Sequence, residues 1–223
     1  MLKCILLFAI YIVLAYAAGK DETIQVPACP DTSSVSFTTS VPNGDPCPKT
    51  QVDICYTDKS LKLLFTASNE TNFYYNPSHQ TNDNIWAYEA MEAFISKGLE
   101  DPQTYLEYEV SPNNQTFNAF IYNPSRESLP GQPMDHAYIS SPFSDGFQVN
   151  TQIDKPSSQW KTESTIPLAL FNGEHPKSSV WRMNFFRTIT GPDIFPKQKL
   201  CAWRNPGKAN FHITPVFGVL SFV

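Results

Sequence analysis

The chain has 223 residues, a net charge of −5 at pH 7 and 13% aromatic residues. This length allows one large all-β domain, and the acidic balance excludes the basic surface that binds nucleic-acid backbones. Nineteen prolines, nine glycines and a charged fraction of 17% are typical of many short strands joined by turns. We therefore expect an all-β protein without a nucleic-acid partner.

The first 17 residues have the pattern of a secretory signal peptide. Lys3 provides a charged start, Cys4–Ala15 is an apolar run, and Ala15-Tyr16-Ala17 is a small-x-small cleavage motif. The apolar run is shorter than a transmembrane helix needs to be. We predict that residues 1–17 are removed, that the protein is secreted, and that the mature chain does not associate with membranes.

Four cysteines follow the predicted signal peptide, and an even number in an oxidising compartment predicts two disulfides. Three pairings are possible. We favour Cys47–Cys55, which closes a local loop, and Cys29–Cys201, which joins the two ends of the chain. The Cys-x-x-Cys and paired-His spacings of a zinc site are absent from the sequence.

Short strands are predicted along most of the chain. Residues 18–60 are polar and Pro-rich, and we expect a disulfide-stapled lead-in that packs on a sandwich formed by residues 61–223. Residues 123–145 are predicted to form a surface loop. The fold class is an all-β, immunoglobulin-like or jelly-roll antiparallel β-sandwich of about eight to ten strands. Residues 86–114 are predicted to form a pair of strands. The other strands are predicted at 61–67, 117–122, 147–153, 160–167, 180–188 and 216–222.

Two sequons, which begin at Asn69 and Asn114, predict N-linked glycans on surface loops. Asn114 lies at the end of the acidic stretch of residues 86–114. A glycan at this position would therefore border any site that this stretch forms.

The acidic stretch is the most informative part of the chain. In residues 105–111 the odd-numbered positions, which include Glu107 and Glu109, share one strand face, and the even-numbered apolar positions share the other. Such strands bury one face and leave the polar face to water or to a ligand. Glu92 lies on the preceding run, with Trp86 before it. The stretch predicts a paired-strand surface that carries carboxylates beside an aromatic ring.

A catalytic role for these carboxylates has little support in the sequence. Glu92, Glu107 and Glu109 could serve as the carboxyl pair of a glycosidase, but no proton-transfer partner marks one of them as a general acid. The nucleophile elbow, the zinc-protease motif, the phosphate loop and the dinucleotide fingerprint are absent. We predict a protein that is not an enzyme.

The residue types instead suit sugar recognition. Sugar hydroxyls pair with carboxylates and amides, and the C–H faces of sugars lie against aromatic rings. Trp160 and Trp181 stand in apolar runs and are assigned to the core. Trp86 and Trp203 stand in polar surroundings, so these two rings are candidates for contact with a sugar.

Six blocks in order resemble the family 9 carbohydrate-binding modules and their secreted eukaryotic relatives. The blocks are Leu61–Phe65, Trp86 with Glu89–Ile95, Tyr105–Asn113, Trp160–Pro167, Val180–Arg187 and Phe211–Gly218. The resemblance implies a β-sandwich that grips sugar between two aromatic rings, often at the reducing end of a polysaccharide such as xylan or cellulose. Modules of this family are often attached to glycoside hydrolases such as xylanases, and they carry calcium as a structural ion.

The resemblance also implies site residues. Trp86 matches the first ring of the sugar clamp, and Phe211 stands at the second ring with a smaller platform than a Trp would give. Glu89, Glu92 and Glu109 match polar positions near the site. Glu109 stands where the best-known sugar binders carry a basic residue, so ligand contacts are expected to differ. Strand parity places Trp86 and Glu92 on one face and turns Glu89 away unless a bulge intervenes.

No cofactor is required by this interpretation, apart from the structural calcium ion that the resemblance implies. Calcium needs several oxygen ligands. The run Asn82, Asp83 and Asn84 could supply some of them.

Two alternative functions remain open at this point. Related sandwiches of the DOMON type bind haem b for electron transfer, which requires axial ligands, and Met91, Met183 and His212 are the candidates in this chain. The protein could also be an extracellular interaction protein that kept the scaffold without sugar binding.

Overall fold

The computed structural model describes residues 22–128, 134–173 and 175–223, which form two β-sheets. The predicted signal peptide lies outside the described residues. Within them, no helix has the length and hydropathy that a membrane crossing requires. The helices are short 3-10 turns at Ile85–Ala87, Leu168–Phe171 and Thr214–Val216. The strands are β1 (Ile24–Val26), β2 (Ser33–Thr39), β3 (Pro46–Tyr56), β4 (Ser60–Ser68), β5 (Ala90–Lys97), β6 (Thr104–Val110), β7 (Thr116–Tyr122), β8 (Asp135–Tyr138), β9 (Gln148–Asp154), β10 (Gln159–Pro167), β11 (Val180–Ile189), β12 (Lys199–Ala202) and β13 (Gly218–Phe222).

The two sheets form the predicted sandwich. The larger sheet has the order β1-β13-β11-β5-β6-β7-β8, and β12 also pairs with β11. The smaller sheet has the order β2-β3-β4-β10-β9. All pairs are antiparallel except β1 with β13. The described residues contain 13 strands, more than expected, because the residues before Leu61 supply three of them.

The main core lies between the sheets and follows from strand alternation. In β4 every second side chain is buried, and Leu61, Leu63 and Phe65 point to the larger sheet. Fully burying a side chain of this kind stabilises the fold by roughly 1.5–3 kcal/mol. Trp160 and Trp181 are both fully buried in this core. Their assignment as core residues is confirmed.

The predicted lead-in supplies integral strands of both sheets. β1 pairs with β13 in the larger sheet, and β3 lies between β2 and β4 in the smaller one. In the second half of β3, Val52 and Ile54 are fully buried, and Tyr56 stacks on Phe222 with ring centroids 4.8 Å apart. The N-terminal residues therefore help to close the core.

The predicted disulfide pairing, Cys47–Cys55 with Cys29–Cys201, is wrong. The structure joins Cys29 to Cys55 and Cys47 to Cys201, with Cα–Cα distances of 5.2 and 6.5 Å. Cys47 and Cys55 lie near opposite ends of one extended strand, β3. At about 3.3 Å per residue they are roughly 26 Å apart, far beyond the reach of a disulfide. The Cys47–Cys201 bond links the two sheets.

The predicted surface loop of residues 123–145 contains an edge strand. β8 pairs with β7 through the register Ala119↔Tyr138 and Ile121↔His136, and its four residues are exposed. This strand is short and lies at the end of the sheet. It matters for function because it borders the cavity described below.

A buried ion pair lies near the junction of the two sheets. Arg187 Nη2 is 2.6 Å from Glu70 Oε2, and both side chains are almost completely shielded from solvent. Arg187 Nη1 also donates to the carbonyl oxygen of Ser68 at 3.3 Å. The charge of each buried partner is therefore balanced by the other.

A second apolar cluster covers the outer face of the larger sheet. Phe94 and Phe186 point outward from β5 and β11, and the segment of residues 203–217 returns across this face. Phe211 from this segment stacks on Phe186 with ring centroids 4.2 Å apart. As a result β6 is buried on both faces. The polar face of β6, which was expected to be left to water or to a ligand, is therefore shielded from bulk water, and its Glu107 lines the cavity described below.

Candidate ligand-binding site

A cavity of about 420 Å³ lies on the outer face of the larger sheet. Its volume falls in the range of small-molecule sites, which is about 300–1,000 Å³. The cavity combines acidic, amide, imidazole and aromatic side chains. Its lining comprises Asn84, Trp86, Glu92, Glu107, Phe117, Ile121, Met134, His136, Tyr138, Thr188, Gln198, Leu200, Asn210, Phe211 and His212.

Trp86 stands at the cavity with 48% of its surface exposed. The 3-10 turn Ile85–Ala87 holds it there, because Ile85 is buried in the second apolar cluster. Gln198 Nε2 donates a hydrogen bond of 2.7 Å to the Trp86 carbonyl oxygen. Trp86 and Glu92 line the same cavity, as the sequence predicted, although Trp86 lies in a turn and not in a strand.

The second predicted ring, Phe211, also lines the cavity, but only 8% of it is exposed because it stacks on Phe186. A more accessible ring is Tyr138 on β8, which is 49% exposed. The sequence interpretation missed Tyr138 because it treated residues 123–145 as a loop. The alternation of His136 and Tyr138, which both line the cavity, was the available signal.

Three carboxyl groups cluster at the cavity floor. Glu92 lies opposite Glu109 in the β5–β6 register, and Glu107 is on the same face of β6. Their oxygens lie within 4.8 Å of one another, close enough for one small cation to contact all three. Glu92 Oε1 accepts a hydrogen bond of 3.0 Å from Thr188 Oγ1. Glu92 and Glu107 face the cavity, and Glu109 is completely buried beside them.

Glu109 has the fewest hydrogen-bond partners of the three carboxyl groups. Neither of its carboxyl oxygens accepts a hydrogen bond from a donor among the described residues. Its contact with Glu107 becomes a hydrogen bond only when one of the two groups holds a proton. The described residues that line the cavity include no Lys or Arg.

Burial favours the protonated, neutral form of the carboxyl groups in this cluster. Burial raises the pKa of Glu92 from 4.5 to about 8. Burial, followed by the charge of Glu92, raises the pKa of both Glu107 and Glu109 well above the usual range. At pH 7 the cluster therefore holds protons unless a cation is present.

His212 does not supply that cation. Burial lowers the pKa of His212 to about 4, so its ring is neutral at pH 7. Its Nε2 atom is 3.7 Å from Glu107 Oε1, and its Nδ1 atom is 2.6 Å from the Tyr105 hydroxyl. The contact with Glu107 is thus not an ion pair at neutral pH.

Two predicted sugar contacts lie elsewhere. Glu89 is fully buried, and its Oε2 atom accepts a hydrogen bond of 2.8 Å from the backbone N–H of Tyr74. Trp203 packs over Gly218, where an added Cβ would lie 2.3 Å from the indole ring. The structure therefore assigns both side chains to packing, because each is held by the body of the sandwich away from the cavity.

The predicted calcium ligands serve mainly as loop contacts. Asn82 Oδ1 accepts a hydrogen bond from the backbone N–H of Asn118 at 2.8 Å, and Asp83 Oδ2 accepts one from Gln80 N–H at 2.7 Å. Asn84 lines the cavity. Two of the three side chains thus already use an oxygen within the protein, and calcium at this run stays a prediction.

The candidate haem ligands are divided between two faces of the sheet. Met91 and Met183 are fully buried in the main core, whereas His212 lines the cavity on the outer face. The methionines therefore do not face the same haem position as the histidine.

The two sequon asparagines are exposed in turns. Asn69 and Asn114 have positive φ angles of 52° and 64°, which Asn tolerates better than most residues. Glycans at these sites stay a prediction, and the turn positions leave room for them.

Solved structures of similar fold are named as carbohydrate-binding proteins. A putative carbohydrate-binding protein from Bacteroides uniformis covers 91% of this chain and 98% of its own, with 13% identity and a TM-score of 0.61. A family 9 carbohydrate-binding module from Caldicellulosiruptor kristjanssonii, in complex with cellotriose, covers 90% and 93%, with 11% identity and a TM-score of 0.62. The complex of this module with glucose covers 91% of this chain and 96% of its own, with 12% identity and a TM-score of 0.61. This likeness shows a fold of the family 9 type.

Comparison of sequences identifies a much closer relative. No known protein-family profile matches the chain. An extracellular protein of Arthroderma benhamiae is 49% identical over 207 residues, which are 93% of each chain. The chain therefore belongs to the same family as this extracellular protein.

Proposed function

We propose that this protein is a secreted, non-catalytic carbohydrate-binding protein, and that its sugar site is the cavity on the outer face of the larger sheet. One observation carries the proposal: the exposed ring of Trp86 and the carboxyl groups of Glu92 and Glu107 meet in one cavity. An indole ring offers a flat apolar surface for the C–H face of a sugar. Carboxyl oxygens beside it accept hydrogen bonds from sugar hydroxyls.

The comparisons support this proposal in two ways. One fold neighbour, the family 9 module, was solved in complex with cellotriose and with glucose, so a sandwich of this type holds sugars in another protein. The relative from Arthroderma is named an extracellular protein, which agrees with secretion. Glycan binding outside the cell accounts for both features without a catalytic step.

The test is a glycan array followed by calorimetric titration of each sugar that binds. Trp86→Ala is expected to weaken binding at least tenfold, because the loss of an aromatic platform for a sugar costs more than about 1.4 kcal/mol in a site of this kind. The melting temperature of the variant should stay close to that of the wild type, since Trp86 is half exposed.

Phe143→Ala is the matched control. Phe143 is 53% exposed and lies outside the cavity lining. Its substitution should leave sugar binding unchanged. Absence of binding to any glycan by the wild-type protein, or full binding by Trp86→Ala, would contradict the proposal and favour an interaction protein that kept only the scaffold.

A further inference from the structure

Among the described residues that line the cavity, no Lys or Arg faces the carboxyl groups at its floor. Elsewhere in this chain a buried carboxylate, Glu70, is paired with the guanidinium of Arg187 at 2.6 Å. Glu92, Glu107 and Glu109 are equally buried, but the described residues of the cavity offer them neither Lys nor Arg. An isolated buried carboxylate is costly unless a cation or a proton neutralises it.

The carboxyl groups are also aimed at a ligand position. Glu92 and Glu107 face the cavity directly, and the fully buried Glu109 has two oxygens without a hydrogen-bond donor beside them. All three groups offer oxygens within 4.8 Å of one another. A single positive charge placed above Glu92 and Glu107 would therefore favour ionisation of these carboxyl groups and would be attracted by the carboxylates that form.

A second, independent observation concerns the cavity walls. Trp86 and Tyr138 each expose about half of their surface and line the same cavity. Aromatic faces bind the C–H faces of sugars and also attract cations. The aromatic walls thus favour a ligand with an apolar face, and the acidic floor favours a ligand with a positively charged group. One ligand could carry both.

Simpler ligands explain only half of these observations. A divalent metal ion would balance the carboxyl groups, but it would leave the two exposed rings without a role, and calcium would need six to eight oxygen ligands. A neutral sugar would cover the rings, but the carboxyl groups would then stay neutral through their own protons and would have no cationic partner. A ligand that combines a sugar ring with a positive charge satisfies both requirements.

We propose that the cavity selects sugars that carry a free amino group, such as glucosamine and its oligomers, with the ammonium group bound by Glu92 and Glu107. This inference rests on the proposed sugar-binding function and names its substrate class. An ammonium group donates three hydrogen bonds, and those to carboxylates are short and charge-assisted. Glu109 contributes through its charge from behind the two contacting groups.

Binding of the cation should also release protons from the cluster. Burial holds Glu92, Glu107 and Glu109 largely protonated at neutral pH, as their raised pKa values indicate. A nearby positive charge favours the ionised carboxylates. Each carboxyl proton lost on binding passes to the buffer, so the heat of binding should depend on the ionisation enthalpy of the buffer.

The test compares three trisaccharides by calorimetric titration at pH 7: the oligomers of glucosamine, of N-acetylglucosamine and of glucose. Acetylation removes the positive charge of the amine, and glucose replaces the amine with a hydroxyl group. The glucosamine trimer is expected to bind at least tenfold more tightly than either neutral trimer. The titrations are repeated with a chelator to remove divalent cations.

Glu92→Gln tests the role of the floor without changing its shape. The amide oxygen can still accept the hydrogen bond of Thr188, so folding should persist, and the melting temperature checks this. The variant is expected to lose at least tenfold more affinity for the glucosamine trimer than for the neutral trimers, because the amide keeps an acceptor for sugar hydroxyls but loses the negative charge. Glu163→Gln, an exposed carboxylate on the smaller sheet, is the matched control and should change neither.

The outcomes separate this inference from the proposed function. Equal or tighter binding of neutral trimers would overturn the amino-sugar inference and leave sugar binding intact. Binding that disappears with the chelator would overturn it in favour of a metal-bridged sugar. If the wild-type protein binds no sugar of any kind, the proposed function itself fails.

Discussion

At the scale of single residues, the carboxyl groups of the cavity depend on their protonation state. Glu92, Glu107 and Glu109 share one face of two paired strands, and the β5–β6 register prevents them from moving apart. Close like charges in a buried site cannot all ionise without a large cost in free energy. The protein therefore carries a site that is acidic by composition and neutral in its ligand-free form at pH 7.

This arrangement predicts a pH dependence of stability for the ligand-free protein. Burial raises the pKa of Glu92 from 4.5 to about 8, so the folded state retains a proton that the unfolded state loses. The stability that this Glu92 proton contributes to the folded state is complete below pH 4.5 and is lost as the pH rises through 8. Glu89, with a pKa raised to about 8 by burial and by Glu70, acts in the same direction. Each such group lowers the free energy of unfolding by up to about 1.4 kcal/mol per pH unit.

His212 acts in the opposite direction, but in a lower window. Burial lowers its pKa from 6.5 to about 4, so the stability that it contributes is complete above pH 6.5 and is lost as the pH falls through 4. Among the described residues with a shifted pKa, the carboxyl groups are the ones whose protonation changes stability between pH 6.5 and 8. We expect urea unfolding to give a lower free energy at pH 8 than at pH 6.5, with a smaller decline in Glu92→Gln. A free energy that is constant or rising over this window in the wild type would contradict the prediction.

At the scale of elements, alternation of apolar and polar residues located most of the strands. The predictions for β4, β7, β10 and β11 agree with the structure within about two residues, which is the usual uncertainty of strand ends. β10 ends at Pro167, as predicted, and a 3-10 turn follows it. β4 and β10 pack one face against the core, and their side chains alternate in burial, whereas β7 and β11 are apolar runs that are buried on both faces.

The missed elements have weak local patterns for physical reasons. β3 begins with two prolines and a polar run, and its alternation becomes clear only from Val52 onward. β8 and β12 have four residues each, too few for a period of two to be recognised. The burial of Glu109 could not be predicted either, because the apolar cluster on the outer face combines residues that are distant in sequence, among them Val41, Phe186 and Phe211.

The junction between the sheets gives a prediction at this scale. Glu70→Gln would leave the guanidinium of Arg187 buried without a counter-charge. Removal of one partner from a buried pair typically costs about 3–5 kcal/mol. We expect a loss of this size in the free energy of unfolding by urea.

An exposed ion pair provides the control for this substitution. Lys208 and Glu127 form a salt bridge on the surface, with both side chains well exposed. Exposed pairs contribute about 0–1 kcal/mol, so Glu127→Gln should change the free energy of unfolding by less than about 1 kcal/mol. Equal effects of the two substitutions would show that burial of the Glu70–Arg187 pair has no energetic role.

At the scale of the whole molecule, the site depends on chain segments that are distant in sequence. β5 and β6 supply the carboxyl groups, β8 supplies Tyr138, and the segment after β12 supplies Phe211 and His212. Three residues that the sequence analysis singled out, Trp86, Glu92 and Phe211, line the cavity. Tyr138 and the separate packing of Trp203 were not predicted, because both depend on which strands become neighbours.

The disulfides give the last prediction, because they close loops of very different length. Cys29–Cys55 spans 26 residues within the N-terminal part, and Cys47–Cys201 spans 154 residues and ties β3 to β12. In the chain-entropy model a longer loop restricts the unfolded chain more. The difference between loops of these lengths is about 1.6 kcal/mol.

Two double variants test this difference. Replacing Cys47 and Cys201 by Ser is expected to lower the free energy of unfolding by about 5 kcal/mol, and replacing Cys29 and Cys55 by about 3.5 kcal/mol. Urea denaturation of both variants measures the two losses, and mass spectrometry of a non-reduced digest checks the pairing. A larger loss for the Cys29–Cys55 variant would contradict the prediction and would indicate that strain or residual structure outweighs loop entropy. Because Cys201 immediately precedes the segment that carries Phe211 and His212, the longer bond should also matter for the cavity wall, and its removal should weaken sugar binding more than removal of the shorter one.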